Sequence, residues 1–102
     1  MTRPRHKYHA VRTELDGIKF PSKKEALYYQ RLKNLKRAGE VVFFLRQVPF
    51  YLPGGVKYVV DFQVFYADGS VAFIDVKGMR TATYKAKKKM VEALFPVEIE
   101  EA

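Results

Sequence analysis

The spacing of apolar residues after Ser22 predicts an amphipathic helix. Apolar side chains recur there at intervals of four and three residues, which is the repeat of one helix face. The positions concerned are Tyr28, Leu32 and Leu35. Ser22 and Glu25 form a capping-box pair at the start, and Gly39 stands where a helix commonly ends. We therefore expect about four helical turns between Ser22 and Gly39.

The next part of the chain changes to strand patterns. Residues Val41 to Leu45 form an apolar run of β-branched and aromatic residues, which predicts a buried strand, and Pro49 limits its continuation to an edge or a bulge. Tyr58 to Tyr66 alternates strictly, so the even-numbered residues are expected on one face. Val71 to Lys77 predicts a third strand.

The last third of the chain predicts a second helix and a short final strand. The helix is expected from about Thr83 to Leu94, where Pro96 stops it, and Val97 to Ile99 alternates as a strand. A turn at Asp16-Gly17 precedes the first helix. The order is helix, three strands, helix, strand, which predicts an α/β fold with a mixed α+β sheet in one compact domain.

Composition and charge narrow the classes of function. The 102 residues carry 19 Lys and Arg against 11 Asp and Glu, a net charge of +8, which favours a polyanion such as nucleic acid. The absence of cysteine excludes disulfides, thiolate metal sites and a cysteine nucleophile. No apolar run is long enough to span a membrane, and no secretory signal is recognised, so we expect a cytoplasmic protein. Residues 1–12 form a basic arm on the single domain 1–102, as either a solvated tail or a phosphate-contacting segment.

Two aspartates interrupt the apolar strands, and the hairpin between them decides whether they meet. A two-residue loop at Asp68-Gly69 would send Asp61 and Asp75 to different faces, whereas a three-residue loop starting at Ala67 would set them opposite each other. A type I turn with Gly69 in the left-handed conformation favours the longer loop. We therefore predict a positive φ at Gly69 and Asp61 facing Asp75.

A carboxylate within an apolar strand is costly to bury unless it is paired or bound to a metal. Asp75 and Lys77 share a face, so a buried ion pair is one interpretation and a solvated sheet face is another. If Asp61 also faces them, the two carboxylates repel unless a cation lies between them. Carboxylate oxygens suit Mg²⁺ or Mn²⁺, and Lys77 would then lie near a scissile phosphate or an attacking water.

Glu25 is a fourth candidate for this chemistry. The capping box gives it a purely structural role. However, it shares a helical stripe with the core-facing Tyr28 and Leu32, so its carboxylate is also placed to reach a metal at the sheet.

Taken together, these residues resemble the PD-(D/E)XK nuclease superfamily, and more closely a group of small phage-type members. The pattern appears here as Asp61 followed by Asp75-Val76-Lys77. The superfamily has a restriction-endonuclease-like core of order αβββαβ, often completed by a glutamate on the first helix, which corresponds to Glu25. One departure is Val60, where the motif has proline.

The resemblance implies metal-dependent hydrolysis of DNA. Asp61 and Asp75 would hold Mg²⁺ (or Mn²⁺), with Glu25 as a further ligand, and Lys77 would act on water and the transition state. Gln47 and Gln63 are candidates for hydrogen bonds near the site, although each is also explained as a surface amide. The candidate DNA-binding residues are Arg3, Arg5, Lys7, Arg80, Tyr84, Lys85, Lys87 and Lys88, for several of which a solvated surface is the alternative.

Small members of this kind resemble Holliday junction resolvases, which cut four-way junctions as symmetric dimers. We therefore expect a structure-selective endonuclease that acts as a homodimer on branched or duplex DNA. The alternatives are a less selective phage endonuclease or exonuclease, and a DNA-binding accessory protein without catalysis. A ribosome-associated basic protein would fit the charge but leaves Asp61, Asp75 and Lys77 unexplained.

Overall fold

The structure, a computed structural model, describes residues 12–76 and 80–102. The predictions for Arg3, Arg5, Lys7 and Lys77 lie outside the described residues. The elements in chain order are β1 (Thr13–Leu15), β2 (Ile18–Phe20), α1 (Lys23–Arg37), β3 (Val41–Leu52), β4 (Val56–Tyr66), β5 (Val71–Asp75), α2 (Ala82–Leu94) and β6 (Ile99–Glu101). A short 3-10 turn, Pro53–Gly55, joins β3 to β4.

The main sheet is mixed. Its strand order is β3-β4-β5-β6, with β4 antiparallel to both β3 and β5, and β6 parallel to β5. Strands β1 and β2 form a separate hairpin. Across the described residues this is one mixed α+β domain with two α-helices, which confirms the predicted fold class. Among the same residues, no helix is long and apolar enough to cross a membrane.

Both helices begin where side-chain caps place them. The Ser22 hydroxyl accepts a hydrogen bond from the Glu25 N–H at 3.1 Å, and Gly39 follows α1 with φ +86°. Helix α2 begins one residue before the predicted Thr83, because the Thr81 hydroxyl caps it by accepting from the Tyr84 N–H. The last strand lies two residues later than predicted, because the residues that pair with β5 are Ile99–Glu101 rather than Val97 to Ile99.

The β4–β5 hairpin has the predicted three-residue loop. Phe62 pairs with Ile74 and Phe65 with Val71. The Tyr66 N–H bonds to the Ser70 carbonyl, and Gly69 has φ +92°. Continuing this register by one residue sets Asp61 opposite Asp75, so the predicted facing of the two aspartates is confirmed.

The prediction of a buried strand over Val41 to Leu45 was wrong. Strand β3 lies at the edge of the sheet, and although Val41 is buried, Val42, Phe43 and Leu45 are exposed. The apolar run had suggested burial on both faces, whereas the structure covers only the face toward α1. The edge position also explains why Pro49 is accommodated in β3, since an edge strand has one row of unpaired N–H positions.

The two helices cover opposite faces of β5. Ile74 packs in the α1 core with Ala26 and Leu32, whereas Phe73 packs against the α2 core that contains Val91. These two cores hold the described domain together, because period-two alternation gives each helix its own set of apolar strand positions.

The even-numbered residues of β4 were predicted to share one face, and this prediction was wrong at the level of the candidate site. Phe62 and Val64 lie in the α1 core, but the even-numbered Tyr58 and Val60 lie in the α2 core. The even residues therefore do not share one face along the whole strand. The exchange falls at Asp61.

The partner strand changes faces at the same level. In β3, Phe44 packs with the α1 core and Phe50 with the α2 core. Arg46 pairs with Phe62 and Val48 with Val60, which sets Gln47 opposite Asp61. Gln47 has φ +56°, a left-handed conformation that interrupts the pleat of a strand. The sheet thus changes its covering helix across the Gln47–Asp61 position.

Candidate active site

Asp61 and Asp75 replace main-chain pairing where β4 and β5 separate. The Asp61 N–H donates to Oδ1 of Asp75 at 3.1 Å, and the Val76 N–H donates to Oδ2 of Asp61 at 2.8 Å. Each carboxylate therefore satisfies an N–H group near the other aspartate. We call these two side chains the aspartate pair. Asp61 retains 7% of its surface exposed and Asp75 0%, so both carboxylates are removed from bulk water.

Tyr58 adds a third contact to the aspartate pair. Its hydroxyl donates to Oδ2 of Asp75, and its ring is buried in the α2 core. Asp75 thus accepts one hydrogen bond from the main chain of β4 and another from a side chain of the same strand. These donors fix the direction of the carboxylate.

Glu25 is held by β3 rather than by its own helix alone. Its carboxylate is buried (3% exposed) and accepts from Nε2 of Gln47 at 3.2 Å. The guanidinium of Arg46 lies 3.7 Å from the same oxygen and stacks over the Phe20 ring, 4.5 Å from its centroid. Both interpretations of Glu25 therefore have a basis in the structure, because its N–H serves the cap while its carboxylate faces the sheet.

Gln47 connects Glu25 to the level of the aspartate pair. It bonds to Glu25 and lies opposite Asp61 in the β3–β4 register. Its positive φ is uncommon for a residue with a side chain, and such conformations cluster at functional sites. Gln63, the other glutamine singled out from the sequence, is half-buried on β4 and pairs with Leu45 and Phe73.

The donor set is the kind that Mg²⁺ or Mn²⁺ takes. Asp61 and Asp75 supply carboxylate oxygens, and each carboxylate offers about four lone-pair directions, so the hydrogen bonds above are compatible with a cation contact. Within residues 12–76 and 80–102, no three acidic or histidine side chains are grouped as a complete metal site. The structure thus brings Asp61 and Asp75 together, and it links Glu25 to them through Gln47.

Three of the predicted DNA-binding residues converge on one carboxylate. Arg80 donates to Oε1 of Glu101 at 2.9 Å, the Tyr84 hydroxyl donates to Oε2 at 2.7 Å, and Nζ of Lys88 lies 3.7 Å from Oε2. The hydrogen bond from Tyr84, together with the Lys88 and Arg80 charges, holds the pKa of Glu101 below its usual range. Burial, the bond to Glu101 and the charge of Asp75 raise the pKa of Tyr84 strongly.

The other two described lysines of this group lie along α2. Lys85 is exposed, and Nζ of Lys87 lies 3.4 Å from the carbonyl of Lys57. Together with Tyr58 and Tyr84, Lys57 and Lys87 line an open cavity of about 240 Å³ beside the start of α2. This basic opening lies next to the residues that contact Asp75.

Sequence reasoning missed Arg46, Tyr58 and Glu101. Each acts through a contact across the fold, and an isolated arginine, tyrosine or glutamate in the sequence has no spacing that reveals such a contact.

Comparison with known proteins identifies the family of this chain. A search of curated proteins finds no match. A family model described as a protein of unknown function, DUF1064, matches residues 5–100, which include Glu25, Asp61 and Asp75. The chain therefore belongs to the DUF1064 family.

Proposed function

We propose that this chain is a metal-dependent endonuclease that acts as a homodimer on branched DNA, with four-way junctions as the preferred substrate. The observation that carries the proposal is the aspartate pair. Two buried carboxylates face each other across β4 and β5 at the point where the strands separate. A protein gains little stability from two like charges placed together, so their arrangement is better explained by a cation and a reaction.

The order of elements supports the same proposal. After the β1–β2 hairpin, the described chain runs α1, β3, β4, β5, α2 and β6, the αβββαβ order of the PD-(D/E)XK superfamily that the motif residues resemble. Asp61 stands on the second strand of that core, Asp75 ends the third, and Glu25 lies in the first turn of the first helix.

The candidate metal ligands are Asp61 and Asp75, with Glu25 as a third ligand directly or through water. When bound, Mg²⁺ or Mn²⁺ would supply Lewis-acid activation of water and of the scissile phosphate. The chain's own residues prepare this chemistry. Tyr58 orients Asp75, Gln47 and Arg46 orient Glu25, and the buried surroundings strengthen each electrostatic contact.

Lys77 completes the proposed catalytic set. It follows Asp75-Val76 in the sequence, and the resemblance assigns it to orienting or deprotonating the attacking water. Its cation would also offset negative charge that develops on the phosphate. The basic residues of α2 and the arm with Arg3, Arg5 and Lys7 are proposed to contact DNA phosphates.

The homodimer is supported by an exposed apolar surface on the sheet. Phe43 on β3 stacks on Phe65 on β4, with ring centroids 4.4 Å apart. Two exposed residues lie beside this stack, Leu45 on β3 and Val71, which pairs with Phe65, on β5. We call Phe43, Leu45, Phe65 and Val71 the apolar sheet surface. Surfaces of this kind commonly mark association sites, and a symmetric pair of active sites suits the two symmetric cuts of a four-way junction.

The test is a cleavage assay on three labelled substrates: a four-way junction, a linear duplex and a single strand, each with and without Mg²⁺. Paired cuts in the junction alone support the proposal. Equal cutting of all three would replace it with a less selective nuclease of the same chemistry. Full activity of Glu25→Gln would return Glu25 to its capping role.

A non-catalytic DNA-binding accessory protein is the second candidate. It is favoured by the net charge of +8, which supports binding to a polyanion without requiring a reaction. Retained junction binding without cutting in either Mg²⁺ or Mn²⁺ would select this candidate over the nuclease.

A further inference from the structure

Glu101 gathers three side chains from α2 and the residues before it. Arg80 and the Tyr84 hydroxyl donate to different oxygens of its carboxylate, at 2.9 and 2.7 Å, and Lys88 lies 3.7 Å away. The Glu101 and Lys88 side chains are each 25% exposed, and that of Arg80 is 60% exposed. The arrangement is therefore open to solvent and accessible to a ligand.

The donors around Glu101 match the needs of a phosphate group. A guanidinium presents two or more N–H groups in one plane, an ammonium adds a compact charge, and a tyrosine hydroxyl adds a directed donor. A carboxylate and a phosphodiester both present two terminal oxygens to such donors, and charge-assisted hydrogen bonds are the strong ones for both. The chain's own carboxylate thus occupies a place shaped for an oxyanion.

This place is joined to the aspartate pair in two ways. Glu101 pairs with Asp75 in the parallel β5–β6 register, and the Ala102 N–H donates to the Asp75 carbonyl at 2.8 Å. The Tyr84 ring also stacks on Tyr58, with centroids 6.2 Å apart, and Tyr58 holds the Asp75 carboxylate. A phosphate bound by Tyr84 would therefore be linked to Asp75 through the stacked ring of Tyr58.

We propose that Arg80, Tyr84 and Lys88 form a binding site for one phosphodiester group of DNA, and that Glu101 occupies this site until DNA displaces it. The choice of DNA as the source of the phosphate rests on the proposed function. Glu101 competes with the phosphate for this site. The apparent affinity for DNA is therefore the intrinsic affinity multiplied by the fraction of protein in which Glu101 has left the site. Weak contacts with any passing polyanion are suppressed, and a substrate that makes several contacts at once is favoured.

The test measures DNA binding in EDTA, so that cleavage plays no part. Glu101→Gln keeps the size of the side chain and an oxygen for Tyr84 but removes the charge that holds Arg80 and Lys88. It should tighten binding of a labelled duplex by about three- to tenfold, the size expected from freeing two partly exposed ion pairs. The slope of log affinity against log salt should stay close to that of the unchanged chain, because the same phosphate is bound in both complexes once Glu101 is displaced.

Glu100→Gln is the matched control, since Glu100 is the exposed neighbour of Glu101 on the same strand. It removes the same charge from the chain without touching the site, so it should tighten binding much less than Glu101→Gln does. Equal tightening by Glu100→Gln and Glu101→Gln would reduce the effect to net charge and overturn the proposal. The proposal would also be overturned if Glu101→Gln tightened DNA binding by the same factor in a chain that already carries Arg80→Ala and Lys88→Ala.

A second variant keeps the test decisive if Glu101→Gln does not fold. Arg80→Ala in the otherwise unchanged chain should make the salt slope about one unit less negative, and Lys19→Ala, an exposed cation on β2, should change it less. Equal slopes for these two variants would overturn the proposal. The nuclease proposal fails separately: absence of cleavage in Mg²⁺ with the Glu101→Gln gain intact would remove the catalysis and leave the phosphate site standing.

Discussion

The N–H of Asp61 donates to the carboxylate of Asp75 across the β4–β5 junction, at 3.1 Å. The Asp61 carboxylate in turn accepts from the N–H of Val76, so the two acids have a structural role in addition to any catalytic one. An unpaired buried N–H costs about 1–3 kcal/mol. Substitutions at this pair must therefore keep an acceptor oxygen if charge and structure are to be separated.

Asp75→Asn and Asp61→Asn meet that requirement, because asparagine keeps one carbonyl oxygen for the main-chain N–H, while the negative charge is lost and an NH2 group replaces the other oxygen. We expect each to reduce junction cleavage by more than about 100-fold, since even partners outside the ligand shell of a metal cost 10–100-fold when mutated. Lys77→Ala should do the same. Junction binding in EDTA should be largely preserved in all three.

Glu98→Gln is the control for these variants, because Glu98 is exposed and lies outside the candidate site. It should leave cleavage unchanged. Loss of the folded state in Asp75→Asn and Asp61→Asn, measured by circular dichroism, would show that the aspartate pair is structural and would contradict the catalytic assignment.

Tyr58→Phe isolates the hydroxyl that holds Asp75. The buried ring is retained, while a hydrogen bond to a charged group is lost, so we expect the free energy of unfolding to fall by about 1.5–3 kcal/mol. If Tyr58 positions a metal ligand, the Mg²⁺ concentration for half-maximal cleavage should also rise. Tyr51→Phe is the comparison, because Tyr51 is 72% exposed on the neighbouring strand. Equal effects of the two variants in urea unfolding would contradict the contact.

The parts of the fold that the sequence predicted are those set by local rules. Asp68-Gly69 decided the hairpin register, and Ser22 decided the start of α1, because both depend on residues within a few positions of each other. The register alone was enough to predict that Asp61 faces Asp75. No short motif in the sequence predicts that arrangement as directly as the hairpin register does.

What could not be predicted depends on contacts between distant segments. Strict alternation in β4 gives no sign that its faces are exchanged at Asp61, since that exchange accompanies the positive φ of Gln47 on another strand. Glutamine has no intrinsic preference for that conformation. The apolar run around Phe43 is equally unable to distinguish burial beneath a helix from an exposed surface.

The left-handed conformation of Gln47 has a measurable cost. A residue with a side chain is strained there by about 1–2 kcal/mol, whereas glycine is not. We therefore expect Gln47→Gly to be more stable than Gln47→Ala by about 1 kcal/mol in urea unfolding. Both variants lose the bond to Glu25, so the difference between them reports the backbone alone.

Gln63 offers the opposite case on the adjacent strand. It lies within β4 among regularly paired residues, where glycine is less favourable than alanine by about 0.5–1 kcal/mol. Gln63→Gly should therefore be less stable than Gln63→Ala. The same order of stability at both positions would contradict a left-handed Gln47 in solution.

Asp16 makes stability depend on acid pH. Hydrogen bonds from Lys33 and then from Tyr29 lower the pKa of Asp16 below its usual value of 3.8. A carboxyl with a lowered pKa in the folded state contributes stability above its unfolded pKa, and that contribution is lost as pH falls through the folded pKa. Asp16→Asn should thus lower the melting temperature at pH 7, and this difference should shrink as the pH falls below 3.8, the usual pKa of the group.

Glu14→Gln is the control on the same hairpin, since Glu14 is also exposed and acidic. Its melting temperature should follow that of the wild type across the titration. A difference between Asp16→Asn and the wild type that stays constant from pH 7 to pH 3 would contradict a charge-dependent contact, and would indicate a change in the turn instead.

The apolar sheet surface allows the proposed homodimer to be tested without DNA. Leu45 is 45% exposed beside the Phe43–Phe65 stack, so a charge placed there would be trapped in an interface if this surface is covered by a second copy. We expect the wild type to sediment as a dimer and Leu45→Glu as a monomer. Leu27→Glu, at a leucine on α1 that is 60% exposed, should remain dimeric. Because nearly half of the Leu45 surface is exposed in the single chain, the free monomer should keep its fold but lose paired cutting of the junction. A monomeric wild type, with and without junction DNA, would contradict symmetric resolution.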